Sequence, residues 1–291
     1  MRSAPDFDGK GISKTDRSLT MGAIRQLDFA AVDDLAFAAE RRRLDLTKLP
    51  VSFVSHRLGP LLELHQLSAF GVEPSYPASA WLNRSVFSGL CNAIGANEAR
   101  WCSHPGRMLA LLKTGCGSTD GDWTAFAIDA KRAAIQSGLT SDWAAQMVGA
   151  MGEFRSNIYE HADATDTGFV AFRAVPGLFE FVVADKGVGL LSTLREAPEY
   201  TSLDDHGEAL RLALTDGASR FGFDRGRGYG FRPLFTGLVN RHASLRFRTG
   251  NASLAIDGTT PTIVRVQRGQ KVHVPGFFIS VACHVSPRLE L

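Results

Sequence analysis

The sequence predicts an α/β protein: an α+β two-layer sandwich over residues 105–291, preceded by a small α/β domain over residues 18–104. Three observations carry this. Strand-like and helix-like segments alternate before residue 70, a long helical stripe fills residues 139–162, and β-branched and aromatic runs separated by turn residues follow residue 168. A chain of 291 residues accommodates about two domains, and 44% hydrophobic residues suffice for a sizeable core.

Residues 1–17 are rich in Gly, Ser, Asp and Lys and are expected to be disordered. Next come Ile24-Arg25-Gln26-Leu27-Asp28-Phe29, a helical stretch over 32–43, a strand at Val51-Ser52-Phe53-Val54 and a helix over 59–69. This alternation defines the small α/β domain, which resembles the STAS domains that accompany some ATP-binding regulators. In the stripe at 139–162, Trp143, Met147, Met151, Phe154 and Ile158 recur at helical spacing, and Ser141 or Asp142 can cap the first turn. Leu178-Phe179-Glu180-Phe181-Val182-Val183-Ala184 alternates little and reads as a largely buried strand, joined to residues 168–173 through a turn at Val175-Pro176-Gly177. Closing strands are expected at 244–249 and 276–282, pairing with that hairpin. Residues 190–225 form a long connection with one helical pattern at 209–214, and connections of this length in compact domains are usually lids or disordered.

Three short segments carry the chemistry. Glu153, Asn157 and His161 stand four apart, so they share one flank of the long helix, where a carboxylate and a carboxamide oxygen can face a common point. Magnesium takes hard oxygen ligands and keeps several waters, so one protein oxygen with phosphate oxygens is a sensible cage, beside a carboxylate that orients water. Asp185 ends the strand at 178–184, where its carboxylate can accept from an adenine amino group, while Gly187 and Gly189 permit positive φ and close backbone approach. The competing reading of Asp185 is a tight turn after a strand. Gly226-Arg227-Gly228-Tyr229-Gly230 precedes a helix-like run containing Pro233, so its amides and the positive helix end can face phosphate. Arg220, Arg225 and Arg227 add cationic donors suited to bidentate contact. The spacing is not the dinucleotide fingerprint, and no Gly-Lys-Ser or Gly-Lys-Thr pair makes a Walker loop.

In order and separation, Glu153-x-x-x-Asn157-x-x-x-His161, Asp185-x-Gly187-x-Gly189 and the glycine run at 226–230 resemble the ATP site of the GHKL family, over residues 105–291. That family includes DNA gyrase, a heat-shock chaperone, sensor histidine kinases and mismatch-repair ATPases. The resemblance implies a Bergerat-type domain with a mixed sheet and helices on one face, ATP and Mg²⁺ as ligands, and residues 190–225 as the ATP lid. It assigns Asn157 to the magnesium and Glu153 to the base. His161, Asp185, Gly187, Gly189, Arg225, Gly226, Arg227, Gly228, Tyr229 and Gly230 would bind the nucleotide. The family's closing Gly-Thr pair is not carried over, because Phe277 follows Gly276. The helix ending in His161-Ala162 is closest to the anti-sigma-factor serine kinases of the family, although this chain carries its own amino-terminal domain.

Composition bounds the rest. A net charge of +2 and no basic stripe with interleaved aromatics give no argument for nucleic acid. No apolar run reaches the length of a membrane span and residues 1–14 have no signal-like apolar core, so a cytoplasmic protein is expected. Cysteines 91, 102, 116 and 283 fit no disulfide framework, and Cys102, His104 and Cys116 lack a matched pair for zinc.

The expected function is therefore an ATP-binding regulator with slow Mg-dependent hydrolysis or phosphotransfer to a protein partner, and a homodimer is one arrangement open to it. A non-catalytic adenine-nucleotide sensor is the first alternative. The second is a sensor histidine kinase, because Ser55-His56-Arg57-Leu58-Gly59-Pro60-Leu61 resembles a phosphoacceptor box. Against it, Arg57 stands where that box has an acidic residue, and Pro50 with the β-branched run before His56 opposes a long dimerising helix.

Overall fold

The computed structural model describes residues 24–40, 52–54, 57–67, 84–103, 108–161, 164–215, 243–256, 266–267 and 271–285. Strand β1 (Ile24–Gln26), helix α1 (Phe29–Glu40) and strand β2 (Ser52–Val54) form a βαβ unit whose two strands pair in parallel. Helices α2 (Leu58–Leu67) and α3 (Arg84–Gly95) follow. Then come β3 (Arg100–Cys102), β4 (Leu109–Lys113), α4 (Asp120–Gln136), α5 (Ser141–His161), β5 (Phe169–Val175) and β6 (Leu178–Ala184). The remaining elements are α6 (Gly189–Leu194), α7 (His206–Thr215), β7 (Ala243–Gly250), β8 (Ala252–Ile256), β9 (Val266–Gln267) and β10 (Val274–His284). Strands β3 to β10 make one sheet of eight, in the order β3-β4-β5-β6-β10-β7-β8-β9.

The α+β class stands, and two of its expected details do not. Every pairing in the large sheet is antiparallel rather than mixed. Helices cover both faces rather than one, and the reason lies in the strands. On one face Ala110, Leu112, Val170, Phe172, Phe179, Phe181 and Val183 join Phe126 of α4 and Met147, Met151, Phe154 and Ile158 of α5 in one core. On the other, Leu109, Leu111, Phe169, Ala171, Val182, Ala184 and Phe278 join Val32 of α1, Leu58, Leu61 and Leu62 of α2 and Leu90 of α3. A strand apolar on both of its faces must be covered twice, which is why the run at 178–184 shows so little alternation, its one charged residue, Glu180, being buried in ion pairs.

The second layer comes from α1, α2 and α3, assigned on sequence to a separate domain. The expected boundary between 104 and 105 falls inside the β3–β4 hairpin, where Trp101 pairs with Leu111. Buried ionic contacts fix α1 and α2 to the sheet. Glu63 of α2 meets Arg246 at 2.9 Å and Arg248 at 2.7 Å, Asp33 of α1 meets the same two guanidiniums at 2.7 and 3.3 Å, and the Lys271 ammonium pairs with Asp33. Glu180 of β6 accepts from the Leu58 backbone N–H at 2.9 Å and pairs with Arg57 and Arg173.

Local signals account for the elements that hold the site. Helix α5 is capped by Thr140, whose Oγ1 accepts from the Trp143 N–H at 3.3 Å, rather than by Ser141 or Asp142. The β5–β6 turn closes on Gly177 with φ +80°, setting Val175 opposite Leu178. Of the two closing strands, β10 pairs with the hairpin, and β7 lies beyond it. Helix α4 was not expected, although Thr119 and Asp122 form a capping box that marks its start. Among the described residues no helix is long and apolar enough to cross a membrane.

Candidate functional site

Met151, Phe154 and Ile158 are buried between α5 and the sheet. Close contact at Gly168, where a Cβ would lie 2.7 Å from Ile158 Cγ2, brings the carboxyl end of α5 down onto the start of β5. On the α4 side of α5, the Arg155 guanidinium lies over the Trp123 ring at 4.9 Å and the Tyr159 ring at 4.7 Å. By helical position, Glu153 and Asn157 occupy the opposite flank, with Glu153 exposed and Asn157 half-buried. Helices α4 and α5 lie over β4 to β6, and α6 and α7 lie over β7, β8 and β10 on the same face. The Glu153–Asn157 flank therefore faces across β6 and β10 toward α6 and α7. His161 ends α5 one turn beyond Asn157.

The β6 end meets that flank. Ala184 is in register with Phe169, the residue after Gly168, so Asp185 and the carboxyl end of α5 lie at the same end of the sheet. Asp185 is 1% exposed. Its backbone N–H donates to the Phe277 carbonyl at 3.0 Å, and its Oδ1 accepts from the Gly187 N–H at 2.6 Å. Its Oδ2 is buried with no hydrogen-bond partner among the described residues. Burial pushes the carboxyl up to about 7, against the lowering effect of the backbone amides of Gly187 and Phe277 that face it.

Glycines let other segments close around this carboxylate. Gly276 has φ +66°, and a Cβ there would collide with the Asp185 carbonyl oxygen and Oδ1. Gly189, at φ +76°, faces the Gly276 carbonyl, with 3.0 Å from its Cβ position to that oxygen. Gly187 does not adopt positive φ; its contribution is the N–H given to Asp185. Thr249 ties the two glycine segments together, since its Oγ1 donates to the Gly276 carbonyl at 3.0 Å and accepts from the Leu190 N–H at 3.1 Å. Gly276→Ala should therefore cost on the order of 2–4 kcal/mol, from left-handed backbone strain plus the collision. The measurement is the urea midpoint at constant slope.

Neighbouring polar groups are shaped by burial. The Lys186 N–H donates to Thr167 Oγ1 at 2.9 Å, and burial lowers its ammonium pKa. Behind the strand end, His65 of α2 is lowered to about 4, by burial first and then by the Lys186 charge. Gln66 of α2 donates its Nε2 to the Asp185 carbonyl oxygen.

The structure thus brings Asn157, Glu153 and Asp185 to one end of one sheet face. Arg220, Arg225, Gly226, Arg227, Gly228, Tyr229 and Gly230 lie outside the described residues, as does His56. The first part of the expected lid is helical, comprising α6 and α7.

The chain matches no protein-family model, no curated protein and no solved structure.

Sequence reasoning missed Thr249, the packing of Gly276 on Asp185, and Gln66. Gln66 had a usable signal. In Pro60-Leu61-Leu62-Glu63-Leu64-His65-Gln66-Leu67 the polar residues interrupt an otherwise apolar run, and polar groups inside such a run need buried partners.

Proposed function

We propose that this chain binds ATP with Mg²⁺ in a GHKL-type cleft of the Bergerat kind and acts as a cytoplasmic regulator of a protein partner, through slow hydrolysis or phosphotransfer. One observation carries the reading: Asp185 presents a buried acceptor oxygen without a donor, at the strand end nearest the Asn157 flank. An unpaired buried carboxylate oxygen is costly, and an adenine amino group is a donor that would satisfy it. At the crossing of Gly189 and Gly276 the backbone closes directly on Asp185, as a glycine-lined approach to an adenine ring would require.

Asn157 would hold the metal, which suits a hard carboxamide oxygen and whose role is to neutralise phosphate charge. Glu153 is exposed on the same flank, so it can orient or deprotonate water. His161, Arg225, Arg227, Tyr229 and the glycines at 226, 228 and 230 complete the proposed nucleotide contacts, and α6 and α7 form part of the lid.

Calorimetric titration with Mg-ATP tests the proposal, and no binding at millimolar nucleotide ends it. If ATP is turned over, Glu153→Gln should leave its affinity within a few-fold while lowering turnover about a hundredfold or more, the scale of a general base. Equal turnover in both proteins would instead make this a nucleotide sensor.

A further inference from the structure

Gln66 belongs to α2, on the face of the sheet opposite the proposed nucleotide cleft, yet its side chain ends at the residue that the cleft depends on. It is fully buried, and its Nε2 donates to the carbonyl oxygen of Asp185. That carbonyl lies just beyond the last β6–β10 register pair, Ala184 with Phe278, so the strand ladder does not hold it there. Gly276 packs against the same carbonyl from β10. The Asp185 peptide is thus clamped between α2 and β10, while its carboxylate points the other way by strand alternation, toward α5. Helix α2 is itself anchored one turn earlier, where Glu63 is bound by Arg246 and Arg248.

We propose that Gln66 is a positioning residue for Asp185, and that through it the amino-terminal layer sets how strongly the site prefers adenine. This rests on the reading of Asp185 as the adenine acceptor. A carboxylate discriminates between an amino group and a carbonyl only while its oxygen is held on the donor's line, because hydrogen bonds weaken steeply with misalignment. Loss of the Gln66 donor leaves a buried carbonyl unmet and the peptide held on one side only, through the Lys186 N–H bond to Thr167 Oγ1, so that it tilts toward another donor and carries the carboxylate with it. Coupling also runs the other way, since a ligand that fixes Asp185 must by linkage favour the docked position of α2.

The test is Gln66→Met, which keeps the volume and removes the donor, titrated with Mg-ATP and Mg-GTP beside the unmodified chain. ATP affinity should fall about tenfold, the scale of one buried hydrogen bond, with GTP affinity falling less, so that the ATP-to-GTP ratio is compressed. A folded variant with an unchanged ratio would overturn the proposal, and a purely structural Gln66 predicts that result. Should the variant not fold, hydrogen exchange on the unmodified protein decides. Saturating ATP should then slow the amides of α2 near Gln66 together with those of Lys186 and Gly187. Protection at Lys186 and Gly187 without any in α2 would overturn it. An unmodified protein that binds no ATP removes the adenine reading and this one with it, whereas ATP binding with an unchanged ratio in the variant removes this one alone.

Discussion

Glu63→Ala should destabilise the protein by about 3–5 kcal/mol, the cost of leaving buried charge uncompensated. Glu63 is 1% exposed and its two oxygens bind the Arg246 guanidinium at 2.9 and 3.2 Å and Arg248 at 2.7 Å. Arg248 has no exposure at all, so water cannot take over from the lost carboxylate without the layer opening. Burial works against the charge on Arg246, yet Glu63 and then Asp33 hold its pKa above the ordinary value. Two carboxylates already serve three cations, Arg246, Arg248 and Lys271. Removing one leaves Asp33 alone. Urea unfolding is the measurement, and a loss below about 1 kcal/mol would mean that this cluster behaves like a surface pair. The companion variant Glu63→Leu with Arg248→Met should cost less than the sum of its parts, because it removes both members of one close pair.

Asp185→Asn should move binding and stability in opposite directions. If the carboxylate accepts from the adenine amino group, the carboxamide offers a mixed donor and acceptor, and ATP binding should weaken by on the order of 1.5–3 kcal/mol. GTP carries a carbonyl where ATP carries that amino group, so the unmodified protein should discriminate strongly against GTP and the variant less. An ordinary turn residue predicts unchanged selectivity in a well-folded variant.

The stability effect follows from the raised pKa. Between about 4 and 7 the native carboxyl holds a proton that the unfolded chain has released, so the unfolded state binds fewer protons and stability falls as pH rises through that window. The variant has no charge to bury. Without nucleotide it should gain on the unmodified protein as pH rises from 4 to 8, by roughly 1–4 kcal/mol. Thermal or urea unfolding at several pH values checks this, and a difference flat in pH would mean that the native carboxylate is solvated. ATP affinity of the unmodified protein should rise with pH across the same window, because the ionised carboxylate is the better acceptor.

How legible the protein was depends on the distance over which each feature is decided. Sequence alone determined the α5 stripe, the hairpin at Pro176-Gly177, closing strands at 244–249 and 276–282, the alternation of strand and helix at the start and the strand-end position of Asp185. Each of these follows from side-chain periodicity and backbone preference within a few residues, which act before any tertiary contact exists. Tertiary structure alone decided that β10 lies between β6 and β7, that every pairing in the large sheet is antiparallel, and that α1, α2 and α3 pack on that sheet as its second layer. The apolar run at 178–184 required two covered faces but could not say what would cover the second. Pairing of Asp33 with Arg246 joins residues 213 positions apart, and the Gln66 contact to Asp185 spans 119. The raised pKa of Asp185 likewise comes from burial by segments remote in sequence, Gly276 packed against it among them. Burial and charge pairing are properties of a packed neighbourhood, and a chain read one window at a time does not contain that neighbourhood.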